Sequence, residues 1–535
     1  MTGREGRFQL ADIVVIQIIS AVLLLSLAIL FQGTGDDGDS VLHFLKAKYA
    51  PTRPELFFDH WGKPFYTLLA FPWAQFGFFG IKLFNIVNIL LAQYWIYCIA
   101  ERLQFRFAWL PSLLYILCPI STYYTLSGLT EPLFANLFSL AVLLIMQKRI
   151  GVAMMLMSFL PFVRSEGLIV VIISSVYLLF EKQFKYIPYL ALGHLLYAIA
   201  GMSTYDGDFL WPFTKIPYPA DKAFYGKGPW FHFTQNMPQV TGILGAILLW
   251  LGCCYVLVLV LKFFKRELKS EESVFLFFIY GSFLGFLFFH SYAWACEKFN
   301  SFGLVRVFIA VLPMMAVIMT QTVEWIYNQW KFKYYNFGLG LYLFLISILL
   351  FAPNHKYSAS FWKFSESSGQ LAMKEAVDFI SQSIPKWKDQ ELITSSMNYY
   401  FYSNQDPDRR GNSHVSAIKL FKTFKRNTIL IWDDWYSVIE HKVQLEDIRK
   451  DSLWQELKTI ECTSDKGNKS KAVIFQYHPQ DEYEELQKSR TEEIIQRIKS
   501  DPSWLKHVEE KAIKNKITTD SMLILDALYL INTGY

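Results

Sequence analysis

Residues 33–66 read GTGDDGDSVLHFLKAKYAPTRPELFFDHWGKPFY. They follow an apolar run at 11–31 and carry Asp36, Asp37, Asp39, Asp59, His60 and Lys63. Charge at this density beside segments fit for a bilayer is costly unless it faces water and takes part in chemistry. The stretch therefore reads as a water-facing loop of a membrane protein, and as the place to look for an active site.

The flanking composition agrees. Of the 535 residues 53% are hydrophobic and 17% aromatic, and only 18% are charged. A soluble chain of this length carries more charge and shorter apolar runs. The net charge of +5 is small enough to be Lys and Arg of cytoplasmic loops, and excludes the strongly basic footprint of a nucleic-acid-binding protein. The first apolar run lacks a small-residue cleavage site and reads as a retained span. The six cysteines (Cys98, Cys118, Cys253, Cys254, Cys296 and Cys462) form no CxxC pair. Neither a disulfide framework nor a zinc site is indicated.

Runs long enough to approach a membrane crossing lie at 11–31, 82–100, 107–124, 131–147, 151–164, 167–180, 187–202, 240–262, 273–293, 304–325 and 335–352. With about eleven spans, the clusters Arg4/Arg7, Arg102/Arg106, Lys148/Arg149, Lys182/Lys185, Lys262/Lys265/Arg266/Lys269 and Lys331/Lys333 all fall on one side, as the positive-inside rule requires. Two stretches decide that parity. PFVRSEG interrupts 150–180 and makes it two short passes, with Arg164 and Glu166 at the outer tip. PFYTLLAFPWAQFGFFG at 64–80 carries two prolines and reads as an interfacial bed for a lipid tail. The N-terminus is then cytoplasmic, and the loops 32–81 and 203–239, with everything after 352, are extracytoplasmic.

The predicted fold class is mainly α: a polytopic transmembrane helical bundle with a C-terminal extracytoplasmic α/β domain. Residues 1–354 form the membrane module, 355–480 the α/β domain and 481–535 a helical appendix. In the tail, KEAVDFISQSI, HVSAIKLFKTFK and LEDIRKDSLWQELKTI read as helices, and ELITSS, TILIWDD and KAVIFQY as strands.

On this topology the unusual ionisable residues gather on the outer face. The loop contributes Asp36, Asp37, Asp59, His60 and Lys63. Glu131 opens the fourth span, Arg164 and Glu166 sit at the hairpin tip, and Arg306 lies just inside the tenth. A carboxylate aimed at a hydroxyl can act as general base, and Lys and Arg at headgroup depth can hold a lipid phosphate as it leaves. These parts suit sugar transfer from a polyprenyl-phosphate donor to an acceptor hydroxyl. Asp39 or Ser40 has the position of a cap for a helix at 41–49. Asp37 and Asp39 also have the spacing of an acidic metal motif suited to Mg²⁺ or Mn²⁺. A monophosphate leaving group does not require such a metal. His290 reads as packing.

The order of GDDGDSVLHF, DHWGKPFY, TEPLF, VRSEGL and LVRVFIAVLP along residues 10–352 resembles the GT-C superfamily of integral-membrane glycosyltransferases. It is most similar to the bacterial branch near the protein O-mannosyltransferases and the aminoarabinose transferase of lipid A. The resemblance implies Asp36 as catalytic base, with Asp37 next in line, and Lys63 in the element that binds the donor phosphate. It lacks the second proline usual in that element. The expected enzyme is an inverting glycosyltransferase of the plasma membrane, moving a mannose-like hexose to a glycan, lipid or protein acceptor. Alternatives are a transporter or flippase for a lipid-linked sugar, a surface-polysaccharide ligase or polymerase, and a non-catalytic envelope scaffold.

Overall fold

The computed structural model describes residues 3–216, 225–330, 365–409, 411–421, 423–465, 467–478 and 481–533. The chain divides into two units, Met1–Ser365 and Glu366–Tyr535.

Unit one is helical. Its N-terminal helix α1 (Gly3–Leu30) is followed by a loop and the amphipathic helix α2 (Asp39–Tyr49). Next come α3 (Pro64–Ala74) and α4 (Gly77–Arg102). Four helical stretches are long and apolar enough to cross a bilayer among the described residues: Asp12–Leu30, Gly77–Arg102, Ile243–Lys265 and Ser270–Ala295. At about 1.5 Å per residue each approaches or exceeds the hydrocarbon thickness. The unit is that of an integral membrane protein.

Several expected spans take a different form. The run 107–124 is two short helices, α5 (Leu110–Leu117) and α6 (Pro119–Thr125). Cys118 between them is extended (ψ 125°), because a residue before proline is sterically barred from helical geometry. The stretch 64–80 is divided between α3 and the start of α4, so the span begins at Gly77 rather than at 82. The run 187–202 is regular α-helix only over Leu192–Gly201, and that at 304–325 opens with a tight turn, Val305–Ala310. The run 335–352 lies outside the described residues.

The hairpin expected around PFVRSEG is present. Glu131–Met146 (α7), Ile150–Ser158 (α8) and Gly167–Phe180 (α9) are short apolar helices, and Arg164, Ser165 and Glu166 form the turn between the last two. Gly167 makes the turn possible, since a Cβ there would lie 2.3 Å from the Leu160 carbonyl carbon. In the bundle α4 packs on α1 and α7, and α7 packs on α8. Phe134, Phe138 and Val142 of α7 are fully buried.

Unit two holds a five-stranded sheet in the order β2-β1-β3-β5-β4. Here β1 is Leu392–Thr394, β2 Asn412–Ser413, β3 Ile429–Asp433, β4 Trp454–Thr463 and β5 Lys469–Tyr477. Strands β2, β1 and β3 are parallel, and β5 and β4 complete the sheet antiparallel. The expected helix LEDIRKDSLWQELKTI is helical only over Leu445–Arg449. Its second half is β4, whose Trp454 and Ile460 are buried. Pairing along the whole of β5 outweighs the helix preference of Gln, Glu, Leu and Lys. HVSAIKLFKTFK keeps only a short helix at Ala417–Leu420. Residues 481–533 form three helices around Ile498, Val508, Ala512, Met522 and Leu523.

Candidate active site

The loop after α1 is fixed by its own polar side chains. The Thr34 hydroxyl donates to the Asp36 carbonyl at 2.7 Å. Asp36 Oδ1 accepts from the backbone N–H groups of Gly38 and Ser40 at 3.1 and 3.3 Å. Asp36 therefore satisfies donors at the start of α2, a helix end that otherwise leaves them bare. This corrects the assignment of the cap to Asp39 or Ser40: α2 begins at Asp39, and the Asp39 side chain points elsewhere. Ser40 joins the loop to the turn before α7. Its hydroxyl donates to the Thr34 carbonyl and accepts from the Gly128 N–H, at 2.7 and 2.6 Å. Gly128 is needed for that approach, because a Cβ there would lie 2.3 Å from the Ser40 carbonyl oxygen. Asn85 of α4 holds the same turn through the carbonyls of Ser127 and Leu129, at 2.7 and 3.1 Å. Glu131 is thereby delivered to the acidic loop.

A chain of alternating charges follows. Arg306, 6% exposed, pairs with Asp36 Oδ2 at 2.5 Å and with Asp39 Oδ2. Its Nε lies 3.7 Å from Glu131 Oε1. The same Glu131 oxygen is 2.7 Å from Arg164 Nη1, and Arg164 Nη2 is 2.7 Å from Glu166 Oε1. His290 Nε2 ends the chain, 3.6 Å from Glu166. Glu131 is fully buried, so the two guanidiniums on it are what make its charge tolerable. Burial by itself would raise the Asp39 carboxyl, but Arg306, with Lys63, holds it below the usual range. Burial likewise works against Glu166, and Arg164 and His290 outweigh it, bringing the carboxyl down to about 2.

Lys63 comes up beside this chain. It precedes α3 with a left-handed backbone (φ 62°), is 8% exposed, and its Nζ is 3.5 Å from the Ser165 hydroxyl. Asp37, half-buried, occupies the same turn as Asp36. The structure gives Asp59 and His60 different surroundings. Asp59 accepts from the Gly62 N–H at 2.7 Å and faces Lys46 Nζ at 3.3 Å, which shapes the loop that carries Lys63. His60 lies against Trp211, its Nε2 3.2 Å from the Trp211 carbonyl, and burial lowers its pKa. Among the described residues no group of three or more His, Cys, Asp or Glu is arranged to hold a metal ion, and Asp39 of the proposed acidic pair is engaged by Arg306.

Sequence reasoning missed His43, Ser165 and the contact of His290 with Glu166. The signal for His43 is its spacing: it follows Asp39 by four residues, which puts both on one helix face.

Chemically, a buried pair of arginines and a lysine can hold an anionic group, and carboxylates within the same cluster can accept a proton. No family model and no curated protein sequence matches this chain. Solved structures do. ArnT from Cupriavidus metallidurans in the apo state superimposes with a TM-score of 0.55 at 10% identity, over 87% of this chain and 99% of ArnT. The same enzyme bound to undecaprenyl phosphate gives a TM-score of 0.53, with the same identity and coverage. The chain has an ArnT-like fold along nearly all of ArnT's length.

Proposed function

We propose that this chain is an integral-membrane glycosyltransferase that moves a sugar from a polyprenyl-phosphate donor to an acceptor hydroxyl, with inversion at the anomeric carbon. The observation that carries this is the buried ion pair of Arg306 with Asp36, continued through Glu131 to Arg164. In this reading Asp36 is the base and the arginines of the same cluster bind the phosphate. The fold likeness to ArnT, which was solved with undecaprenyl phosphate bound, supports the donor class.

In this mechanism the donor phosphate settles against Lys63, Arg164 and Arg306. Its oxygens compete with Asp36 for Arg306, and the carboxylate so released accepts the proton of the acceptor hydroxyl. The hydroxyl oxygen attacks the anomeric carbon from the face opposite the phosphate. The bond from that carbon to the phosphate oxygen breaks, and the electron pair leaves as polyprenyl phosphate, whose growing charge the cations stabilise. Asp37 is the alternative base, Glu131 and Glu166 hold the arginines in place, and Asp59 and His60 support the Lys63 loop. These cations serve the leaving group without a metal. We assign the donor sugar to a mannose-like hexose or a close relative and the acceptor to a glycan, lipid or protein. The site faces the extracytoplasmic side of the plasma membrane, and the N-terminus lies in the cytoplasm.

The test is sugar transfer from labelled polyprenyl-phosphate sugar by the reconstituted protein. Asp36→Asn should abolish turnover while donor binding persists. Full activity in both Asp36→Asn and Asp37→Asn would rule out the base assignment.

A further inference from the structure

His43 of α2 is 4% exposed. Its Nδ1 is buried without a hydrogen-bond partner among the described residues. The ring packs against Tyr66, 5.6 Å between centroids, but the Tyr66 hydroxyl is already given to the Gly128 carbonyl at 2.9 Å. An orphaned buried nitrogen is unfavourable, and a natural interior rarely keeps one without a use for it. The charged groups acting on His43 are Asp39 from its own helix and Lys63, Arg164 and Arg306 from three other segments. These are the cations proposed above to hold the donor phosphate.

The surroundings also fix what the ring can do. Burial comes first, and with Lys63, Arg306 and Arg164 it outweighs Asp39 and pushes the imidazole down to about 3. These surroundings hold the ring in its neutral form, with one N–H to donate. A carbonyl or hydroxyl ligand cannot draw Arg306 and Arg164 from the carboxylates they already pair with. An anionic oxygen competes for those cations and accepts the N–H as well.

Resting on the glycosyltransferase reading, we infer that His43 donates its Nδ1–H to the phosphate of the lipid-linked donor, completing the site formed by Lys63, Arg164 and Arg306. It acts as a directional hydrogen-bond donor that fixes the orientation of the phosphate, where the three cations supply attraction.

The experiment measures binding of undecaprenyl phosphate to the full-length protein in nanodiscs, with the melting temperature followed in parallel. His43→Phe keeps a ring and removes the donor; His43→Asn places an amide N–H near the Nδ1 position. His43→Phe should weaken binding by about tenfold or more, and His43→Asn should stay within about threefold of wild type, the range expected for one hydrogen bond to a charged group. The ratio of wild-type to His43→Phe affinity should hold constant from about pH 5.5 to 8; a cationic histidine would lose its advantage through about 6.5. His43→Leu serves the same purpose if the Phe variant does not fold. Undiminished binding in the donor-less variant, or a ratio that collapses near 6.5, overturns the inference. Arg306→Gln separates the two levels. If it weakens binding and His43→Phe does not, only the role of His43 falls. If wild type does not bind the lipid phosphate, or Arg306→Gln binds like wild type, the donor-site reading falls with it.

Discussion

Asp36 and Arg306 are 270 residues apart in sequence and meet through a 2.5 Å ion pair. One belongs to the loop after the first helix, the other to the turn that opens the last described helix of the membrane unit. Their contact closes the ends of the bundle over Glu131. It also means that the carboxylate assigned as base is engaged until something takes its arginine, and an anionic donor is the natural competitor.

Replacing Arg306 by Lys tests whether the planar fork matters as well as the charge. A lysine can reach one of Asp36, Asp39 and Glu131 but cannot present parallel N–H donors to a phosphate. Sugar transfer should fall by about 10²-fold, the size of losing one preorganised transition-state donor. Unchanged turnover in Arg306→Lys would place the phosphate elsewhere.

Much of this site was legible because charge stands out in apolar sequence. Glu131, Arg164, Glu166 and Arg306 were identifiable from the cost of burying them, and the structure joins all four to Asp36. Roles within the loop were not legible. Asp36 and Asp39 both reach Arg306, and only Asp36 also accepts from the backbone N–H groups of Gly38 and Ser40, a difference that turn geometry decides. His43 was hidden because its four-residue spacing from Asp39 is the one signal it carries in the sequence, and that says nothing of a role until its orphaned nitrogen and its neighbours are known. The broken spans and β4 were misread for a related reason: a helix-compatible pattern yields to Pro119 in one case and to pairing with β5 in the other.

Glu131→Gln keeps the shape of the side chain and removes the charge between two buried guanidiniums. Deleting one member of a buried ion network costs about 3–5 kcal/mol because its partners are left uncompensated. The melting temperature of the detergent-solubilised protein should drop accordingly. A variant as stable as wild type would show that Asp36, Asp39 and Glu166 suffice for the two arginines.

The acid limb of stability follows from Glu166. Its carboxyl is held at about 2 in the folded state against an ordinary 4.5, so the folded state binds fewer protons in between. The contribution is fully present above about 4.5 and is lost as pH falls through about 2. From pH 8 down to 5 this group should leave the melting temperature unchanged, and below about 4 stability should fall in wild type and less steeply in Glu166→Gln. Parallel acid limbs in the two proteins would assign the loss to other carboxylates.

Gly128→Ala addresses the scaffold without touching a charged group. The added methyl would sit 2.3 Å from the Ser40 carbonyl oxygen, a backbone atom that cannot turn aside as a side chain can. Relief requires the 127–130 turn and the Asp36 loop to separate, which stretches the bond from the Gly128 N–H to Ser40 and draws Glu131 away from the base. Overpacking of this kind costs about 1–3 kcal/mol, so the protein should still fold with a modestly lowered melting temperature. Transfer should suffer more than stability, since a displacement of about 1 Å at a catalytic constellation can cost about 10²-fold in rate. Donor binding should weaken less than turnover, because Lys63 stands on a different loop from Gly128. If Gly128→Ala retained full transfer, the 127–130 turn would have no part in setting the position of Asp36, and the alignment would have to come from Arg306 and the N–H groups of Gly38 and Ser40.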